Sequence, residues 1–151
     1  MPFDANLVLA DSTLDWTYAN LVTSNYGTPT LTTRNAGGFV VVDMKAFSGT
    51  AAKGMSAVFI SDEAGAAVTD ALTLLLQVSD QSDFSSGVQT LANFEVAGVT
   101  HGIILGNECP CTVVRRFATT KRYVRVDASC VEDDDFHTCH VLLAPWPFNI
   151  L

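Results

Sequence analysis

The sequence predicts an all-β fold, a β-sandwich or jelly roll of about eight short antiparallel strands in a single domain. First, the apolar stretches are rich in β-branched residues and show almost no helical periodicity. Second, clusters of Gly, Ser, Thr and Asn separate these stretches at short intervals, as turns separate strands. Third, a chain of 151 residues that is 48% hydrophobic and carries no repeat or linker suits one core, spanning 1–151.

The clearest strand pattern falls in the middle of the chain. Residues 71–79, ALTLLLQVS, place three leucines and a valine on one face at a spacing of two. Residues 121–130, KRYVRVDASC, alternate in the same way, with a valine-rich face and a polar face. Both segments are therefore predicted strands.

The remaining strands are assigned by β-branched content and by flanking turns. They are predicted at 39–47, 57–61, 88–96, 101–105, 111–117 and 136–144, with a polar loop at 79–87. The segment 49–67 is predicted to be a loop around the strand at 57–61, because its glycines disfavour a long helix. An extended N-terminal segment (about 1–12) and an extended C-terminal tail (145–151) complete the chain.

Composition excludes several classes of protein. The formal net charge is −8, whereas binding to a phosphate backbone needs clustered Lys and Arg, so we expect no nucleic-acid partner. The longest apolar run, 71–78, is far shorter than the ~20 residues that span a bilayer, so we expect no membrane partner. The first residues, MPFDANLVLAD, lack a basic stretch followed by an apolar one, which predicts folding in a cytosol with reduced thiols.

The cysteines and histidines near the C-terminal end raise the question of a metal site. CPC occupies 109–111 and FHTCH occupies 136–140, but zinc sites favour a gap of two to four residues between paired cysteines. On a strand, Cys139 and His140 would point to opposite faces. A group of His137, Cys139 and Cys130 would form only if 121–130 and 136–144 paired as a hairpin, with CPC as the fourth donor. We expect that hairpin, but no metal and no cofactor, and we interpret Cys130 and Cys139 as small buried apolar residues.

The sequence also lacks signs of catalysis. It contains no G-x-S-x-G, P-loop or G-x-G-x-x-G motif. A Cys–His nucleophile would need a third orienting group, and the spacing selects none. The run EDDD at 132–135 is typical of a solvated turn. We therefore expect no enzyme and no catalytic residues.

Two segments are candidates for contact with a protein partner. Five of the eight basic residues lie in 115–125, which indicates either a solvated strand pair or a surface that meets an acidic partner. The tail PWPFNIL carries large apolar groups on a backbone that its prolines keep extended, so it either folds over its own core or docks on another subunit. The candidate contact residues are Arg115, Arg116, Lys121, Arg122, Trp146, Phe148, Ile150 and Leu151.

Three segments together resemble a known family. ALTLLLQVSDQSDFSSGVQTL, KRYVRVDAS and FHTCHVLLAP, within about 72–144, are similar to the capsid cement (decoration) proteins of tailed double-stranded DNA bacteriophages, of the Bordetella short-tailed phage type. The resemblance implies a jelly-roll subunit that forms homotrimers on the outer surface of the phage head. It implies that the major capsid protein is the partner, that the protein is assembled in the bacterial cytoplasm and resides in the virion, and that it has no catalytic residues.

Two other classes of protein remain as alternatives. A ligand- or glycan-binding β-sandwich would need exposed aromatic residues on one face, but the two tryptophans, Trp16 and Trp146, are far apart in sequence. A cupin-like metal-dependent enzyme would need several histidines on facing strands, and the chain has three histidines. Both alternatives are less favoured than the cement protein.

Overall fold

The computed structural model of the chain describes residues 7–11, 15–21, 29–31, 33–35, 38–44, 54–99, 101–131 and 133–145. Within these ranges the chain forms nine strands and one helix of four residues. No described helix is long and apolar enough to cross a bilayer. The tail residues 146–151 and most of the N-terminal segment lie outside the described residues.

The described elements follow one another in this order: β1 Val8–Asp11, α1 Tyr18–Leu21, β2 Val42–Asp43, β3 Met55–Ser61, β4 Ala71–Ser79, β5 Gln89–Asn93, β6 Ile104–Leu105, β7 Cys111–Phe117, β8 Tyr123–Cys130 and β9 Cys139–Pro145. A turn of 3₁₀ helix, Gly106–Glu108, joins β6 to β7.

The strands form two antiparallel sheets, which confirms the predicted fold class. One sheet has the order β1-β9-β3-β7, and the other has the order β2-β8-β4-β5 with β6 also paired to β4. If the two-residue β6 is set aside, β7, β8 and β9 become the sixth, seventh and eighth strands. The orders are then 1-8-3-6 and 2-7-4-5, the strand order of a jelly roll.

The core lies between the two sheets, and β4 contributes the face predicted for it. Its three alternating leucines and Val78 are fully buried. An aromatic group fills the middle: the ring centroid of Trp16 lies 5.2 Å from that of Phe39 and 6.1 Å from that of Phe59. The Phe59 centroid lies 6.5 Å from that of Phe94, edge to face. These ring contacts join β3, through Phe59, to Trp16 before α1 and to Phe94 after β5.

The central strand β3 is buried on both faces. Phe59 belongs to the main core, whereas Val58 packs with Leu142 and Ala144 of β9 in a second cluster. A strand that is buried on both faces has no solvent-facing side, so its residues do not alternate between apolar and polar. For this reason the sequence predicted only its second part, 57–61, while the strand begins at Met55.

The predicted hairpin between 121–130 and 136–144 is wrong. β8 pairs with β2 and β4, whereas β9 pairs with β1 and β3 in the other sheet. Alternation shows which face of a strand is buried, but it does not show which strand is its neighbour. In a jelly roll, these two consecutive strands lie in different sheets.

Several elements also differ from prediction. Of the predicted strand at 39–47 the structure describes 39–44, where it shows the two-residue β2 and a bridge from Phe39 to Ala10. β9 begins at Cys139, because His137 has a φ of 53° and cannot continue an extended strand.

The helix α1 was not predicted. It begins after Thr17, whose Oγ1 accepts a hydrogen bond from the Asn20 amide at 3.3 Å, as an N-cap residue does.

Candidate functional site: the basic run and the thiol cluster

The basic run, residues 115–125, extends from β7 into β8, and its first member binds within the chain. Arg115 Nε donates to the Asn93 carbonyl oxygen at 2.9 Å, and its Nη2 donates to the Glu95 carbonyl oxygen at 2.6 Å. Strand β7 ends the order of one sheet and β5 ends the order of the other. Arg115 therefore connects the two sheets along one side of the sandwich.

Lys121 and Arg122, which directly precede β8, form ion pairs. Lys121 Nζ bonds the Asp80 carboxylate. The Arg122 guanidinium makes a forked contact with Asp43, with Nη2 2.8 Å and Nε 3.1 Å from the carboxylate oxygens, and this contact raises the pKa of Arg122. Pairs this close to solvent contribute little stability, but they neutralise cations that an external acidic partner would need.

Arg125 was not a candidate contact residue, yet it is partly buried and bound within the chain. Its guanidinium carbon lies 4.3 Å above the Phe84 ring, and its Nε donates to Gln77 Oε1 at 3.0 Å. Burial lowers the pKa of Arg125, and Asp127 partly opposes this shift. The residue thus holds the loop between β4 and β5 against the outer face of β8.

The structure therefore engages the basic candidates internally. Arg115, Lys121 and Arg122 bind acceptors of this chain, and Arg116, an exposed residue of β7, also interacts within it. The four apolar candidates of the tail, Trp146, Phe148, Ile150 and Leu151, lie outside the described residues. The basic run therefore stabilises contacts within the fold more than it forms a cationic surface open to a partner.

Arg115→Ala is expected to lower the free energy of unfolding by about 1.5–3 kcal/mol, because it removes hydrogen bonds from a charged donor that join the two sheets. Arg116→Ala, at an exposed position of the same strand, is the matched control and should lower stability less than Arg115→Ala does. Urea unfolding with equal slopes for both variants measures the difference. Equal losses for the two variants would show that Arg115 is not a brace.

The thiol cluster, Cys109, Cys111 and Cys139, lies at one end of the β1-β9-β3-β7 sheet. Ser61, the last residue of β3, pairs with Cys111 of β7 on one side and with Cys139 of β9 on the other. Cys109 follows the 3₁₀ turn, and its Sγ lies 3.9 Å from Cys111 Sγ. Cys139 is fully buried, and its Sγ donates to the Phe136 carbonyl oxygen at 3.4 Å.

The thiols differ in acidity because their surroundings differ. The hydrogen bond from Cys111 lowers the pKa of Cys109, and the same bond together with burial raises the pKa of Cys111. Burial also raises the pKa of Cys139. Burial and the nearby Asp134 raise the pKa of Cys130, on β8, to about 12. Cys109 is therefore the thiol that ionises most readily.

The donor group considered from the sequence is not assembled. Cys130 lies in the opposite sheet from Cys139, because β8 and β9 are not neighbours. Among the described residues, no group of three donors that contains a cysteine brings its ligand atoms within 4.8 Å of one another. Cys139 belongs to the core, and Cys130 is half-buried against it, as small apolar residues would be.

Within the described ranges, three donors do converge elsewhere: Asp15, Asp135 and His137. The backbone amide of His137 donates to Asp135 Oδ1 at 2.8 Å, which is an ordinary turn contact of an Asp side chain. Asp15 is exposed, and the other two are half-buried. These contacts are sufficient to account for the arrangement of the loop.

The histidines and Trp16 bear on the two alternative classes. His101 pairs with Glu108, His137 with Asp135 and His140 with Asp11, so each histidine meets a different carboxylate. This separation does not suit a cupin-like centre, which gathers several histidines. Trp16 is buried in the core, so it offers no exposed ring to a glycan.

Two aspartates, Asp70 and Asp134, have a structural role that the sequence did not reveal. Asp134 Oδ2 accepts hydrogen bonds from the amides of Ala71 and Val131, at 3.1 and 2.9 Å. Asp70 Oδ2 accepts from the amides of Ala67 and Asp135, at 2.9 and 3.2 Å. The two carboxylates thus tie the loop before β4 to the loop before β9. An Asp beside a predicted strand signals a turn, but its partner more than 60 residues away has no local signature.

The fold places the chain in the class of all-β jelly-roll domains. No protein-family model matches the chain, and no curated protein matches it in sequence. The function of the chain is therefore inferred from its fold and from its own residues.

Proposed function

We propose that this protein is a capsid cement protein that binds the outside of a bacteriophage head, bridges neighbouring copies of the major capsid protein and stabilises the shell. The observation that supports this most strongly is the jelly-roll strand order. The segments that resemble the cement proteins form β4, β8 and β9, which are inner strands of the two sheets. The resemblance thus involves the strands that define the fold, and not only peripheral ones.

A cement protein needs few physical properties, and this chain has the rigid fold that is one of them. A cement protein needs a rigid scaffold in many copies, and no active site. When one subunit or trimer bridges several capsid proteins, each later contact becomes intramolecular, so weak contacts add up to firm attachment. Because the protein binds the assembled shell and not its separate parts, binding shifts the equilibrium toward the assembled shell.

The tail 146–151 is the proposed anchor, either to the shell or to another subunit of the trimer. Three residues of the basic run already bind acceptors within the chain, two of them carboxylates, which leaves the apolar tail as the stronger of the two candidates. The tail follows Pro145, which pairs with Met55 at the end of β3 opposite to the thiol cluster. Burying a Trp or Phe side chain stabilises a contact by roughly 1.5–3 kcal/mol each.

The decisive experiment measures copy number. Phage particles from the virus that encodes this chain are purified, heads are separated from tails, and both are analysed by quantitative mass spectrometry. We expect the protein in the head fraction, at a fixed stoichiometric ratio to the major capsid protein. Its absence from heads, or its recovery with tails, would contradict the proposal.

The anchor is tested in the same system with a chain that ends at Pro145. Undecorated heads should bind the full chain, and the shortened chain should bind several kcal/mol more weakly while its thermal unfolding midpoint is unchanged. A sharp fall in the midpoint with normal head binding would show that the tail packs on its own core. Native mass spectrometry of both chains reports separately whether a trimer forms and whether the tail holds it together.

A further inference from the structure

We infer that Cys109 and Cys111 form a redox-active dithiol, a modification site that a small peroxide closes to an intramolecular disulfide. This inference is independent of attachment to a capsid. It rests on the position of the CPC segment between the 3₁₀ turn and β7, and on the placement of the two other cysteines.

The two sulfur atoms are already close to bonding distance. Cys109 Sγ and Cys111 Sγ are 3.9 Å apart, whereas a disulfide bond is about 2.05 Å long. Two positions along a chain span at most about 7 Å, so their Cα atoms lie within or near the range that a disulfide accepts. The bond therefore requires mainly that the two side chains rotate toward each other.

The sheets disfavour two of the other pairings. Cys111 and Cys139 are separated by Ser61 on the strand between them, so their Cα atoms lie about 9–10 Å apart, too far for a disulfide. Cys130 belongs to the opposite sheet, and packed sheets are about 10 Å apart. Cys109 and Cys111, which also adjoin in sequence, are the pair whose sulfur atoms are in contact.

The surroundings of the pair assign the first step to Cys109. The hydrogen bond from Cys111 and the Ser61 hydroxyl favour the thiolate of Cys109, while burial and the Glu108 carboxylate oppose it. The net effect is a pKa below the ordinary value of a thiol. Because Cys109 is only 6% exposed, a small oxidant such as hydrogen peroxide suits it better than a bulky disulfide.

The chemistry balances with one peroxide per pair. The Cys109 thiolate attacks a peroxide oxygen, the O–O bond breaks, and a sulfenic acid and hydroxide form. The Cys111 thiolate then attacks the Cys109 sulfur, the S–S bond forms, and the S–O bond breaks. The departing oxygen and the first hydroxide take up the two thiol protons as two waters. Each sulfur gives one electron, and peroxide is reduced by two.

The test uses the full chain, reduced, folded and treated with one equivalent of hydrogen peroxide. After quenching, the chain is denatured and its free thiols are alkylated. Of its four cysteines, two should resist alkylation, and the tryptic peptide that ends at Arg115 should have lost two hydrogen atoms. Four alkylated cysteines, a bond to Cys130 or Cys139, or a disulfide between two chains would each overturn the inference.

Three variants make the outcome specific. Cys130→Ser is the matched control and should retain the disulfide. Cys109→Ser should abolish it and leave Cys111 slow to react. Cys111→Ser should stop the reaction at a Cys109 sulfenic acid, which dimedone traps, since the serine hydroxyl can still donate to the Cys109 sulfur. If dimedone labels no residue in folded Cys111→Ser, Cys109 is not the nucleophile.

A separate measurement avoids reliance on variants. In the wild-type chain, the rate at which Cys109 is alkylated should rise with pH and level off well below the pH at which Cys130 reacts. The physical reason is that the pKa of Cys109 is lowered and that of Cys130 is raised to about 12. Equal pH profiles for the two cysteines would remove the basis for the inferred order of steps.

Discussion

Phe59→Ala is expected to lower the free energy of unfolding by about 3–5 kcal/mol. Phe59 is 0% exposed at the centre of β3, and its ring contacts those of Trp16 and Phe94. The substitution removes the transfer free energy of the ring and leaves a cavity that strands on both sides prevent from closing. Since small domains are stable by only about 5–15 kcal/mol, this loss is a large part of the total.

Urea unfolding followed by tryptophan fluorescence measures this effect, because Trp16 lies beside the substituted ring. The control is Val68→Ala: Val68 is 68% exposed, so its substitution should change stability by no more than about 0.5 kcal/mol. Should Phe59→Ala cost less than about 1 kcal/mol, the sheets would have to repack around the site, and a central aromatic core would be the wrong description.

Asp70→Ala is also expected to lower the free energy of unfolding, by about 1–3 kcal/mol for each of the two amides that lose their acceptor. Asp70 is 4% exposed, and its Oδ2 accepts from the amides of Ala67 and Asp135. Alanine leaves both donors, whose hydrogen bonds are partly buried, without that oxygen. The loop before β4 and the loop before β9 would then lose one of the contacts that tie them, while the Asp134 contact remains.

Two further variants distinguish the causes. Asp70→Asn keeps an acceptor oxygen and removes the charge, so it should lose less stability than Asp70→Ala. Asp62→Ala, at an exposed position of the same connection, should have almost no effect. Hydrogen exchange of the Ala67 and Asp135 amides should accelerate in Asp70→Ala alone. If both amides stay protected in that variant, the hydrogen bonds are not what ties the two loops.

The sequence predicted the strands whose two faces have different environments. In β4 and β8 one face meets the core and the other does not, so the residues alternate and the pattern is local. The prediction from sequence failed where the local residue pattern does not reflect the surroundings that the strand has in the fold. β3 is buried on both faces and shows no alternation, and His137 interrupts a segment that otherwise resembles a strand.

The candidate site was predicted in composition, but not in arrangement. The concentration of cations in 115–125 is evident in the sequence, yet their partners are not. Arg122 bonds Asp43, which lies 79 positions earlier, and Arg115 bonds carbonyl oxygens that any residue could supply. The sequence near each arginine does not indicate either partner. The sequence alone therefore could not show whether the basic run binds within the chain or forms a cationic surface open to a partner.

By itself, the sequence determined that the chain is an all-β domain and which face of β4 and β8 is buried, because these properties depend on residues two positions apart. Only the tertiary structure decided that β8 and β9 belong to different sheets, so that Cys130 and Cys139 are not neighbours. It also decided that Asp70 and Asp134 join distant loops. Strand pairing and loop contacts bring together residues far apart in the chain, and their free energy depends on the whole packed sandwich, which no local pattern encodes.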